Sequence, residues 1–274
     1  MASIPEVIKT GDYLSDFIHR QQTLLTVGLD SDVTKLPAIV NGDILLFNKQ
    51  IIDATKDLCV SYKINFAFYE SLGKRGWEIL EKTISFIPST HLIIADAKRG
   101  DIGNTSEMYA KSVYDHLGCD AITVSPYMGS DSIKPFYREG KWVIILALTS
   151  NKGSHDFQQQ EFSDGRKVYE KVMEQSSQWG SADNTMYVVG ATHPDELKKI
   201  RSKFPDHFFL VPGVGAQGGD LEEICRVAVN KRGGLLINAS RSILYASSGN
   251  DFAEKAREEA KKLSNTIAPY LISN

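Results

Sequence analysis

Apolar runs of strand length recur at regular intervals along the chain, at residues 24–29, 60–68, 92–97, 121–125, 142–148, 186–191, 208–214 and 234–239. Most are nearly continuous hydrophobics. That is the pattern of parallel strands buried on both faces, not the alternation of a half-exposed sheet. Between and after them lie segments of helical period, at 44–58, 76–86, 106–117, 130–138, 166–179, 194–204, 221–229 and 252–271. Several carry start signals, such as Thr192-His193-Pro194-Asp195-Glu196, with a cap residue, a first-turn proline and acids after it. Eight alternations of strand and helix predict an α/β chain folded as a (β/α)8 TIM barrel. An open doubly wound sheet with two extra units is the structural alternative. The segment 7–22 is amphipathic through Val7, Ile8, Leu14, Phe17 and Ile18, and is expected to cover the barrel floor. No linker interrupts the pattern, so residues 1–274 read as one domain. The one long polar connection, 150–165, reads as a surface loop or, because it follows the fifth strand, an active-site lid.

Composition narrows the function classes. With 42% hydrophobic and 24% charged residues over 274 positions, a large water-soluble core is available. A net charge of −3 gives no reason to expect nucleic-acid binding, and no apolar stretch reaches the length of a membrane span. The first residues show no basic region followed by an apolar one, so no signal peptide is expected. Cys59, Cys119 and Cys225 are far apart and odd in number, as for reduced thiols in a cytoplasmic protein without a zinc site. The six histidines show no metal-binding spacing.

The chemistry concentrates at strand ends, where barrel enzymes place it. The third strand runs into Asp96-Ala97-Lys98-Arg99-Gly100-Asp101. Alternate strand residues share a face, so Asp96 and Lys98 are expected to point the same way, with Asp101 just past the turn at Gly100. The other exits carry Asp30, Lys63 with Asn65, Ser125, Ser150, Thr192-His193, Pro212 and Asn238-Ala239-Ser240-Arg241. Any single one could be a helix cap, and a lone D-x-K-x-x-D could be a surface ion pair. Clustered at successive exits, they read as a carboxylate–lysine array of Asp30, Lys63, Asp96, Lys98 and Asp101. Acidic neighbours would hold Lys98 cationic, which suits a proton donor better than a Schiff-base amine.

After the seventh strand, Gly213-x-Gly215-x-x-Gly218 matches a dinucleotide fingerprint as a string. It lacks that motif's context, a first strand and an acid at the end of the next one. It reads instead as a phosphate cradle, with Arg241 adding a bidentate contact. The alternative is a pair of ordinary glycine turns.

These residues resemble the orotidine 5′-phosphate decarboxylase family. The stretch Asp96-Ala97-Lys98-Arg99-Gly100-Asp101-Ile102-Gly103-Asn104-Thr105 resembles its signature, and Ser125-Pro126-Tyr127-Met128-Gly129-Ser130-Asp131 and Val211-Pro212-Gly213-Val214-Gly215-Ala216-Gln217 are similar to its longer bacterial and protozoal subgroup. The resemblance implies a metal-free, cofactor-free decarboxylation of orotidine 5′-monophosphate. Lys98 would protonate C6 and Asp96 would hold Lys98 beside the substrate carboxylate. Lys63 would join the charge network, and Asp30 and Asn65 would meet the ribose or that network. Ser150 would contact the pyrimidine, Pro212 would pack near it, and Gln217 with Arg241 would grip the phosphate. A homodimer is implied, with Asp101, Ile102 and Thr105 entering the neighbouring site. The chain has no room for a fused orotate phosphoribosyltransferase, so the preceding step is expected on another protein. The rivals are a magnesium-dependent sugar-phosphate aldolase or epimerase, which places a carboxylate where Lys63 stands, and a non-catalytic phospho-ligand binding protein.

Overall fold

The computed structural model describes residues 7–214 and 220–272. Eight strands form a closed parallel barrel in chain order: β1 (Leu25–Gly28), β2 (Ser61–Asn65), β3 (Leu92–Arg99), β4 (Ala121–Val124), β5 (Trp142–Leu148), β6 (Thr185–Val189), β7 (Phe208–Pro212) and β8 (Leu235–Ala239). Closure is made by β8 against β1, with Thr26 opposite Asn238. The open-sheet alternative is thereby excluded. The helices are α1 (Gly11–Gln21), α2 (Ile44–Thr55), α3 (Phe66–Glu70), α4 (Lys74–Phe86), α5 (Gly103–Ala110), α6 (Ser130–Ile133), α7 (Val168–Ser176), α8 (Pro194–Lys203), α9 (Leu221–Ala228), α10 (Arg241–Leu244) and α11 (Phe252–Ile272). Among the described residues, none is long and apolar enough to cross a membrane.

The continuous apolar runs become strands because both of their faces are covered, one by the barrel interior and one by the helix layer. β1, β4, β6 and β8 are buried at every position. Each fully buried Ile, Leu or Val contributes about 1.5–3 kcal/mol of transfer free energy.

α1 covers the floor, as its amphipathic pattern predicts. Thr10 caps its start through the Tyr13 amide, and Leu14, Phe17 and Ile18 are buried. Its contacts, and those of the segment just before it, go to residues at or before the starts of strands. Tyr13 donates to the Thr90 carbonyl, His19 meets the Lys231 carbonyl, and the Trp142 indole donates to the Lys9 carbonyl at 2.7 Å. A buried ion pair, Lys9 to Asp120 at 2.8 Å, fastens the same end.

Three local expectations are corrected. The second apolar run does not stay extended to residue 68. Asn65 accepts from the Ala67 amide and starts α3, so Phe66 and Tyr69 enter the core from a helix. The segment after the third strand begins its helix at Gly103, and ends in a π-helical turn, Lys111–His116. The expected helix at 130–138 breaks after one turn into a 3-10 turn, Lys134–Phe136, because Pro135 offers no amide hydrogen to continue it. The long connection after β5 contains a 3-10 turn, Lys152–His155, and a bridge between Glu161 and Lys167.

Candidate active site

A cavity of about 560 Å³ opens at the C-terminal ends of the strands. Asp30, Lys63, Asn65, Asp96, Lys98, Ser150, Pro212 and Arg241 all border it. Gln217 lies outside the described residues. Asp101, Ile102 and Thr105 do not border the cavity. They follow β3 at the start of α5, and Ile102 and Thr105 are exposed. The Asp101 carboxylate accepts from the Ile102 amide at 2.8 Å. The fold therefore brings together four of the five members of the charged array and leaves Asp101 off the cavity.

The array is continuous. Lys63 Nζ stands 2.7 Å from Asp96 Oδ2 and 3.4 Å from Asp30 Oδ1, while Lys98 Nζ meets Asp96 Oδ1 at 2.5 Å. Lys63 and Asp96 are 4% and 8% exposed, so these charges act with little solvent screening. Burial pushes the Asp96 carboxyl up, but the Lys63 and Lys98 ammonium groups outweigh it and hold the carboxyl well below its usual range. Burial likewise pushes Lys63 down, and Asp96 and Asp30 together carry it above the ordinary lysine value. Both groups are thus ionised at neutral pH. Lys98 is different in exposure: its side chain is about half open to the cavity, at 48%.

Simple strand alternation does not account for how Lys98 reaches Asp96. Lys98 has φ +48°, a left-handed conformation that costs a residue with a Cβ about 1–2 kcal/mol. The register between β3 and β4 shifts at the same place, from Ala95 opposite Ile122 to Arg99 opposite Val124. A bulge of this kind re-aims side chains at the rim of a barrel. Arg99, next in sequence, turns away from the cavity to pair with Glu70 and lie over the Tyr109 ring. The Thr123 hydroxyl, opposite the bulge, accepts from the Lys98 amide and donates to Asp96 Oδ1, both at 3.0 Å.

Across the cavity the groups are of another kind. β7 ends in Pro212, and Gly213 takes φ +96°, closed to residues with a side chain without strain. Arg241 opens α10 with its side chain exposed at the cavity. Among the described residues it forms no ion pair, so its guanidinium is available to an anion. Tyr245 fixes the β1 exit, donating to the Asp30 carbonyl at 3.1 Å and accepting from the Asp32 amide at 2.8 Å.

The sequence profile of the Orotidine 5'-phosphate decarboxylase / HUMPS family matches residues 23–257. An orotidine 5'-phosphate decarboxylase of Bacteroides fragilis is 50% identical over 265 residues, 94% of this chain and 97% of that protein. The chain belongs to this family. The structure of Leishmania donovani OMP decarboxylase superposes with a TM-score of 0.78 at 37% identity, over 93% of this chain and 98% of that one. That of Leishmania donovani UMP synthase gives a TM-score of 0.80 at 39% identity, over 92% of this chain but only 56% of the longer synthase.

Two further polar residues border or support this family site, one hidden from a reading of strand ends and one noted there at the eighth exit without a role. Thr123 sits inside an apolar strand, where a threonine passes for a β-branched core residue. Asn238 lines the cavity from β8, is 8% exposed, and its Oδ1 has no partner among the described residues. Its place at a strand exit was the available signal.

Proposed function

We propose that this chain converts orotidine 5′-monophosphate to uridine 5′-monophosphate and carbon dioxide, the closing step of UMP synthesis, with Lys98 as proton donor. The observation that carries the reading is the Lys63–Asp96–Lys98 array, buried at Lys63 and Asp96 and open at Lys98, facing a cavity whose opposite wall carries an arginine with no ion pair among the described residues. Family membership supplies the substrate class.

The bond from C6 to the substrate carboxylate breaks and its electron pair stays on C6. Carbon dioxide departs, and a proton moves from Lys98 Nζ to that carbon. Nothing in the pyrimidine conjugates with the in-plane lone pair, so stabilisation must come from a charge already in position. Lys98 offers its ammonium there, anchored through Asp96. Asp96 lies beside the departing carboxylate, Asp30 and Asn65 face the ribose, Ser150 and Pro212 border the base, and Arg241 with Gln217 takes the phosphate. Binding at the phosphate, remote from the bond that breaks, can contribute to lowering the barrier. The Lys63 ammonium fills the space between Asp30 and Asp96 where a divalent cation would sit, which favours metal-free decarboxylation over aldolase or epimerase chemistry.

We read residues 1–274 as one cytoplasmic domain acting as a homodimer, with Asp101, Ile102 and Thr105 reaching the partner's cavity. Their position off their own cavity supports this. So does an exposed apolar group near the same exits, made by Ile102, Met108, Tyr127 and Met128. The direct test is the ultraviolet absorbance of orotidine 5′-monophosphate with purified protein and chelator. Steady loss of the orotate band with uridine 5′-monophosphate as product is expected. An unchanged spectrum would reject the assignment.

A further inference from the structure

The β3–β4 ladder places three residues, Asp96, Ala97 and Lys98, in the interval that holds Thr123 alone on the facing strand. Three residues cannot pair with one through backbone groups, so the ladder is interrupted where the lysine must be aimed. The Lys98 amide, which regular alternation from Leu92 would direct toward β2, donates instead toward β4, to Thr123 Oγ1 at 3.0 Å. That contact uses an acceptor site of the hydroxyl and leaves its one hydrogen for Asp96 Oδ1, also at 3.0 Å. Asp96 Oδ1 is the same oxygen that receives the Lys98 ammonium. Thr123 is fully buried and β-branched, so its hydroxyl has little rotameric freedom.

We propose that Thr123 is the positioning residue for Lys98, acting as a two-sided clamp on the left-handed bulge. One side holds the Lys98 backbone in its unfavourable conformation, and the other fixes the carboxylate that anchors its ammonium. The inference rests on the decarboxylase reading and adds to it the device that aims the donor. Without the hydroxyl, the Lys98 amide and Asp96 Oδ1 each lose a buried partner, and among the described residues no other side chain of β4 supplies either contact. The ammonium then departs from its line to C6, and small misplacements of a reacting group cost about 100-fold in rate.

The experiment compares the Thr123→Val and Thr123→Ser proteins with the parent. Thr123→Val keeps the branched shape and deletes the hydroxyl, whereas Thr123→Ser keeps the hydroxyl and deletes the methyl. For Thr123→Val, kcat is expected to fall about 100-fold, with KM and the affinity for uridine 5′-monophosphate nearly unchanged. Thr123→Ser is expected to recover most of the lost rate. Circular dichroism and the uridine 5′-monophosphate titration verify that each variant is folded with its cavity intact. Parental kcat in Thr123→Val would overturn the clamp, as would a Thr123→Ser protein that binds the nucleotide normally yet is as slow as the valine variant. Absence of decarboxylation in the parent protein would instead defeat the functional reading itself, so the two failures are separable.

Discussion

At the scale of single residues, the site works by making charged groups depend on one another. Asp96 is buried enough that burial alone would raise its carboxyl, and the two ammonium groups beside it outweigh that and keep it ionised. Its folded-state value lies below the unfolded one. It therefore contributes stability that is present above the ordinary carboxylate range and is lost as pH falls through the depressed folded value. Lys63 has the opposite sign: raised in the fold, it contributes stability below the ordinary lysine value that is lost as pH rises through the raised one. Between these limits Lys63 and Asp96 both stay charged. Removing Lys63 takes away the closest neutralising charge on Asp96 Oδ2 and leaves Lys98 alone to oppose the effect of burial. The Lys63→Ala protein is thus expected to show its acid limb of kcat displaced to higher pH, measured as a full pH–rate profile. An acid limb identical to the parent's would show that Asp96 does not depend on Lys63. The convergence of these groups was largely legible in the chain, because acids and lysines at the exits of consecutive parallel strands become neighbours once those strands pair side by side. The conformation of Lys98 was not. A left-handed residue is normally announced by glycine or asparagine, and a lysine gives no such notice.

At the scale of elements, most of the uninterrupted hydrophobic runs were read correctly as strands, since both faces are buried and each run is too short for a typical buried helix. Boundaries were less secure where one apolar run served two elements. Residues Phe66 to Phe68 continue the hydrophobicity of β2, and only the cap at Asn65 separates strand from helix. Between elements, polar groups do work that the pattern does not display. Arg201 of α8 is almost buried, lies 4.0 Å over the Phe209 ring, and donates to the carbonyls of Phe204, Pro205, His207, Ala228 and Gly234. It ties the end of α8 to the entrances of β7 and β8, at the end of the barrel remote from catalysis. Arg201→Met keeps the bulk and leaves those carbonyls without their donor, at about 1–3 kcal/mol for each one that water does not reach. A loss of about 3 kcal/mol in urea unfolding is expected, with kcat per folded molecule unchanged. Unaltered stability would mean the carbonyls find other partners.

At the scale of the whole molecule, one chain closes the barrel but does not gather every residue of the signature around its own cavity. Asp101, Ile102 and Thr105 stand outside it beside an exposed apolar group. In a two-fold dimer the same surface meets itself, and each subunit can complete the other's site. Lys98→Ala and Asp101→Ala proteins, each inactive alone, are then expected to complement one another. After exchange of subunits, half of the dimers are mixed and each mixed dimer has one intact site, giving about a quarter of parental activity. No recovery, with mixed dimers verified by native mass spectrometry, would place Asp101 in its own subunit's site or in none.

The central claim is that the Lys98 ammonium supplies the charge and the proton at C6, and turnover of Lys98→Ala tests it most directly. General acid and electrostatic contributions together predict a fall in kcat of at least about 10⁴-fold, while uridine 5′-monophosphate binds with near-parental affinity and the fold is retained. Turnover within tenfold of the parent in a folded, nucleotide-binding Lys98→Ala protein would contradict the account.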